Sequence, residues 1–223
     1  MSLEVVTIKV IRGIFKNYSY IGNDSLERRS FLVDPAWELE KIEQAIQQSN
    51  NRCDFILLTH SHPDHVDLAD EIAVRYGIPV YMSKREVDQY QFQCHNLIPV
   101  NEGDSISIGS NKIIPISTPG HTHGSMCFLF KDNLFTGDTL FAEGCGMCIG
   151  KGADPGSMFQ SIQRLKAMIP PKTRIFPGHS YGQPPGHNFS WLLQHNIYLQ
   201  IEQREDFIAY RMRSGQTGWA NFT

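Results

Sequence analysis

The sequence holds no stretch close to the roughly 20 apolar residues that span a bilayer. Met1–Phe15 lacks the basic segment, apolar run and small-residue cleavage site of a secretory leader. A cytoplasmic protein with no membrane partner is the expectation. Charge of either sign is sparse, with 20 Lys and Arg against 23 Asp and Glu, a formal net of -3. No basic stripe is available to grip a phosphate backbone, so nucleic acid is not an expected partner. Cysteines number five, an odd count that argues against a disulfide framework and suits a reducing compartment. Cys53 and Cys127 lie in or beside apolar strands and read as small buried hydrophobes. Cys145-Gly-Met-Cys148 has the spacing of a redox or zinc pair, but no second such pair exists and it sits in a glycine-rich turn, which favours a loop. Three catalytic signatures are missing as well: a Gly-x-Ser-x-Gly elbow, a Gly-x-Gly-x-x-Gly turn and a P-loop.

What is present is an ordinary globular composition, 41% hydrophobic over 223 residues, enough chain to bury a core without staples. A single domain over 1–223 is expected, with a weakly patterned tail at 214–223 that frays. Val5–Ile11, Tyr18–Ile21, Ser30–Val33, Asp54–Leu58 and Val80–Met82 read as strands, as do Ser105–Ile108, Lys112–Ser117, Ser125–Phe130, Asn133–Phe135 and Arg174–Phe176. The spacing predicts helices over Glu38–Gln48, Val66–Tyr76 and Pro155–Ile169, and mostly helix over Phe189–Arg213. Runs of strands interrupted twice by helices favour an α/β sandwich of two mixed sheets.

Four segments place chemistry directly after a strand. Leu57-Leu58-Thr59 leads into His60, His62, Asp64 and His65; Ile116-Ser-Thr-Pro-Gly leads into His121; Leu134-Phe-Thr-Gly leads into Asp138; and Ile175-Phe-Pro-Gly leads into His179. Imidazole and carboxylate suit zinc, and also iron or manganese. Three histidines and an aspartate within six residues, packed together without a metal, would strand polar groups. In a turning segment His60 and His62 face the same way and can share one metal that His121 completes. Asp64 and His65, beyond the bend at Pro63, can face a second metal that His179 completes, with Asp138 bridging. Each ion then keeps a position for solvent, the pattern of a catalytic site rather than a structural one. His123, His95 and His195 read as loop, surface or packing residues; His187 is a candidate substrate contact.

Thr59-His-Ser-His-Pro-Asp-His65 resembles the His-x-His-x-Asp-His signature of the metallo-β-lactamase superfamily, and the likeness runs from about Val5 to His195. Asn17-Tyr-Ser-Tyr-Ile21, Gly137-Asp-Thr-Leu-Phe-Ala-Glu-Gly-Cys-Gly146 and Pro177-Gly-His-Ser-Tyr181 look like its glyoxalase II branch. The resemblance implies an αββα fold with two metal ions at the edge between the sheets, and Tyr181 in contact with substrate. Met147 stands where glyoxalase II has a basic residue that helps to hold glutathione, and the basic C-terminal helical domain of that branch is not evident. Gly-Cys-Gly-Met-Cys148 with Gly150-Lys-Gly-Ala-Asp-Pro155 looks most like the zinc-dependent hydrolases of bacterial polyketide biosynthesis clusters. That implies hydrolysis of acyl thioesters carried on acyl carrier protein or small thiols, with Lys151 a candidate contact for the phosphate of a phosphopantetheine arm.

The chemistry follows. Metal ions lower the pKa of a bound water toward about 7 and the resulting hydroxide attacks the thioester carbonyl. Asp64, a ligand of the second ion, can orient the nucleophile or accept its proton. A thiol of pKa about 8.5 leaves without a dedicated acid. The rival enzymes are glyoxalase II itself, a sulfur dioxygenase using one iron, a β-lactamase and a nuclease; the last two are disfavoured by the missing leader and the missing basic stripe. The rival of another class is a metal-binding partner module without catalysis, against which the full ligand set argues.

Overall fold

A computed structural model describes residues 4–215. The described residues form two sheets. The first holds β1 (Glu4–Arg12), β2 (Phe15–Asp24), β3 (Arg29–Val33), β4 (Arg52–Leu58), β5 (Val80–Ser83) and β6 (Leu97–Val100) in that spatial order. β1 to β3 are antiparallel, and β3 to β6 parallel. The second holds β7 (Ile106–Ile108), β8 (Asn111–Ser117), β9 (Met126–Phe130), β10 (Asn133–Gly137) and β11 (Arg174–Pro177), antiparallel except for the β10–β11 pair.

Strand alternation builds the layers. On β4, Phe55 and Leu57 point toward the second sheet, while Ile56 and Leu58 point to the opposite face. On β9 and β11, Phe128, Phe130 and Phe176 answer from the facing side, and Cys127 and Ile175 turn away. The aromatic layer between the sheets includes Phe31 against Phe130 and Phe135, edge-on at 5.4 and 5.6 Å. Both outer faces are also apolar because helices cover them. α1 (Leu39–Gln48) and α3 (Ala69–Tyr76) bury Ile42, Ile46, Ile72 and Ala73 on the first sheet. α5 (Pro155–Met168), with Met158, Ile162 and Leu165 inward, covers the second. This is the expected αββα sandwich.

Four segments differ from the sequence reading. The helix expected over Val66–Tyr76 is two pieces, α2 (Pro63–Val66) and α3, because the chain turns at Asp67 and Leu68 to seat Leu68 under Pro35. Phe189–Arg213 is three short helices, α6 (Phe189–His195), α7 (Ile197–Gln200) and α8 (Arg204–Arg211), broken where Asn196 donates to the carbonyls of Phe141 and Gly144. α4 (Lys84–Tyr90) and β6 were not legible: α4 is short and mostly polar, with Val87 its one aliphatic residue, and β6 carries Pro99 at a sheet edge, where a missing donor is tolerated. The fraying expected at 214–223 falls largely on residues outside those described; Ser214 and Gly215 form a turn.

Candidate metal centre

The ends of β4, β8, β10 and β11 meet at one edge of the sandwich and deliver the sequence-selected residues there. His60 is buried on the loop after β4 and His65 on α2, His121 and Asp138 lie on the loops after β8 and β10, and His179 beyond β11. Main-chain bonds lock these loops: Met126 N–H donates to Thr59 O, Gly178 N–H to Gly137 O and Tyr18 N–H to Gly178 O. A β-carbon on Gly178 would lie 2.4 Å from the His65 ring and 2.6 Å from Asp138 Oδ1, so the Pro-Gly-His turn needs glycine for close approach.

Three groups of side chains converge closely enough to hold a metal ion: His60, His62 and His121; His60, His65 and Asp138; and Asp64, His65 and His179. His62 Nδ1 lies 3.1 Å from His60 Nε2 and 2.9 Å from His121 Nε2. Asp138 stands between the groups, with Oδ2 3.4 Å from both His121 Nε2 and His179 Nε2, and Oδ1 3.4 Å from His65 Nε2. Asp64 Oδ2 is 3.5 Å from His179 Nε2 and accepts from Asn17 Nδ2 at 3.0 Å.

The outward nitrogens fix which lone pair faces inward. His121 Nδ1–H donates to Met147 O at 2.6 Å and His179 Nδ1–H to Lys16 O at 3.1 Å, because a carbonyl only accepts. His65 Nδ1–H donates to Asp34 Oδ2 at 2.9 Å. Thr59 Oγ–H donates to Asp34 Oδ2 at 2.6 Å, which leaves Thr59 Oγ1 to accept from His60 Nδ1. Four imidazoles are thus oriented through a second hydrogen bond, the arrangement that metal-ligating histidines use. Among the described residues, His65 Nε2 and Asp138 Oδ1 are buried with no hydrogen-bond partner. Buried polar atoms in that state are costly, and a cation between them would satisfy both.

Electrostatics divides the cluster. Burial holds His60 well below the ordinary imidazole range and His121 down at about 4, with neighbouring histidines adding to the effect. Burial also lowers His62. For His65, burial opposes the charge, yet Asp64, Asp138 and Asp34 outweigh it and raise the group to about 10. His179 is raised by Asp138 against burial. Burial pushes Asp138 up, but His179, His65 and His121 more than reverse this and hold the carboxyl well below its usual range.

A cavity of about 610 Å³ opens over the cluster, lined among others by Asn17, His62, Asp64, Met147 and Tyr181. Met147 and Tyr181 therefore lie on its wall. Tyr181 packs edge-on against Phe141 at 5.1 Å, and burial raises its hydroxyl pKa. Two other sequence-selected residues lie off the wall. Lys151 donates to Gln89 O, and the His187 ring stacks on Trp191 at 4.4 Å. The thiols of Cys145 and Cys148 are buried; burial drives Cys145 well up and Cys148 to about 12, which keeps both protonated.

Sequence reasoning passed over Asp34, Asn17, Glu86 and the C-terminal arginines. Asp34 follows β3 directly, the same strand-end position that singled out the ligand candidates, and that signal was available. It accepts from Thr59 N–H, Thr59 Oγ–H and His65, with a left-handed backbone (φ 47°) that aspartate tolerates. Arg211 and Arg213, at and just beyond the end of α8, line the cavity. The basic C-terminal helical domain of glyoxalase II was not evident in the sequence, yet two basic side chains of this chain's own C-terminal segment do reach the cavity.

The family model for the metallo-beta-lactamase superfamily matches residues 12–179. The chain is 45% identical over 222 residues to the probable polyketide biosynthesis zinc-dependent hydrolase PksB of Bacillus subtilis (strain 168), covering 100% of this chain and 99% of that one. It is 33% identical over 187 residues to a hydroxyacylglutathione hydrolase of Fuscovulum blasticum, covering 81% and 68%. The crystal structure of ETHE1 from Myxococcus xanthus superposes with a TM-score of 0.79 at 26% identity, covering 92% and 89%.

Proposed function

The chain belongs to the metallo-β-lactamase superfamily, and on that premise we propose that it is a single-domain cytoplasmic hydrolase of acyl thioesters that works with two metal ions, zinc foremost. The observation that supports two ions is the position of Asp138, within 3.4 Å of nitrogens from both histidine groups at the floor of one cavity. His60, His62 and His121 would hold one ion, Asp64, His65 and His179 the other, with Asp138 between. When bound, the ions supply a water acidic enough to ionise near neutral pH and a Lewis acid for the carbonyl oxygen.

The chain's own groups do the rest. Asp64, fixed by Asn17 through both its carboxylate and its carbonyl, orients the attacking water and takes its proton. Phe141, Met147, Ile149 and Tyr198 give the cavity an apolar wall for an acyl chain. A thiolate leaves readily, so no acid is required near the sulfur. The name of the B. subtilis relative, a polyketide biosynthesis hydrolase, supports thioesters on an acyl carrier protein as the substrate class.

One observation favours a second reading: Arg211 and Arg213 on the wall suit an anionic thiol such as glutathione. Both are tested together. The zinc-loaded chain should contain about two metals per protein and should cleave acyl carrier protein or N-acetylcysteamine thioesters with a higher kcat/KM than S-lactoylglutathione. A strong glutathione preference selects the second reading. One iron with oxygen uptake overturns hydrolysis, and two metals with no activity on any acyl thiol leaves a binding module.

A further inference from the structure

Glu86 is fully buried on the first turn of α4, and it is not among the residues that line the cavity. Its carboxylate holds four donors. Oε1 accepts from Ser61 N–H and Ser61 Oγ–H, both at 2.8 Å. Oε2 accepts from Thr122 Oγ–H at 2.8 Å and Gly124 N–H at 3.0 Å. Ser61 lies between His60 and His62, and Thr122 follows His121. Every donor therefore belongs to one of the two loops that carry the three-histidine group.

The bases of these loops are already joined by Met126 N–H to Thr59 O. Nearer their tips they meet at the His62 and His121 rings, 2.9 Å apart, and through Glu86, which bonds to the backbone and hydroxyls of both loops. The contact is tight: a β-carbon on Gly124 would lie 2.2 Å from Glu86 N, so the loop needs glycine to reach α4. A carboxylate is the one side chain that accepts all four bonds, since it has two oxygens and no proton to place. The His65 side of the cluster has a different support, Asp34. No bond runs from Glu86 to Asp64, His65, Asp138 or His179 among the described residues.

We infer that Glu86 is a positioning residue that sets the distance between the His60–His62 loop and His121, and so tunes the affinity of the three-histidine metal position alone. The inference rests on the two-metal reading above. Its test is zinc occupancy, read position by position from anomalous scattering at the zinc edge, in wild-type and Glu86→Gln chains equilibrated over a series of buffered free-zinc concentrations. The amide keeps one oxygen and turns the other acceptor into a donor, which strands one pair of donors. Zinc affinity at the three-histidine position should fall about 10–100-fold, the usual effect of removing an outer partner of a ligand, while the Asp64–His65–His179 position keeps its affinity. Excess zinc should restore kcat, with KM unchanged throughout. Unchanged affinity at both positions, or equal weakening of both, overturns the inference. If the wild-type chain fills only the three-histidine position, the two-metal reading fails and Glu86 is judged by that position's affinity; if it never fills that position, both fail. Should Glu86→Gln not fold, Thr122→Val removes one of the four donors. It should shift the same position in the same direction by less, and no shift there overturns the inference.

Discussion

The two sides of the cluster share an edge of the sandwich but are built from opposite electrostatics. Around His60, His62 and His121 burial outweighs the pull of Asp138 and keeps the rings neutral, with His121 at about 4. Around His65 and His179 three carboxylates crowd in, and His65 rises to about 10. On the first side His60 Nε2 and His121 Nε2 already turn lone pairs inward, and no imidazolium has to be discharged before a cation binds. The second side in the metal-free chain holds a proton where a cation would sit, so metal and proton compete there. The difference teaches that similar ligand types, delivered from the same strand ends, can make a ready site and a proton-gated one a few ångströms apart.

Removing the group common to both sides should have the largest effect. Asp138→Ala is expected to lose metal from both positions and to cut kcat/KM by at least about 10³-fold, the scale for losing one preorganised electrostatic contact. Metal analysis with steady-state kinetics checks it; a variant that keeps both metals shows that Asp138 does not bridge. A substitution on one side separates them. Asp34→Asn leaves His65 Nδ1–H or the Thr59 donors without a full acceptor. It should weaken zinc binding on the His65 side by about 10–100-fold and cost about 1–3 kcal/mol of stability, read by zinc competition and denaturant melts. Equal weakening on both sides would mean that Thr59, which also touches His60, carries the effect.

How much of this was legible follows the same division. The seven ligand candidates were readable because each stands immediately after an apolar strand, and strand ends on one sheet edge must lie together. The layers were readable from alternation, as in Phe55-Ile-Leu-Leu58, where both faces are apolar. What supports the ligands was not. Asp34 obeys the same strand-end rule, but no histidine beside it drew attention. Glu86 lies in a polar helix with one apolar residue, Val87, near its middle, and its burial is fixed by loops 25 and 36 residues away. Arg211 and Arg213 line the cavity beyond two breaks in the C-terminal helix, one of them where Asn196 donates to Phe141 O and Gly144 O, tertiary contacts that helical spacing does not report.

The smallest effect expected is one of stability against pH, and it sets the two sides against each other. His121 is depressed to about 4 in the folded chain against about 6.5 unfolded. Between those values the unfolded chain binds more protons, so stability falls as pH drops from about 6.5 to about 4. His65 is raised to about 10. Its contribution is fully present below about 6.5 and is lost as pH rises through about 10, because there the folded chain binds more protons. The metal-free chain should therefore show a dome of Tm against pH, highest near 6.5, with limbs of several degrees, since each kcal/mol moves Tm by about 2–4 °C at this size. Zinc should flatten the alkaline limb, because the ion replaces the proton on His65, and calorimetry in buffers of different ionisation enthalpy should count about one proton released per chain near pH 8. A metal-free Tm that climbs steadily to pH 9 would erase the distinction between the two sides.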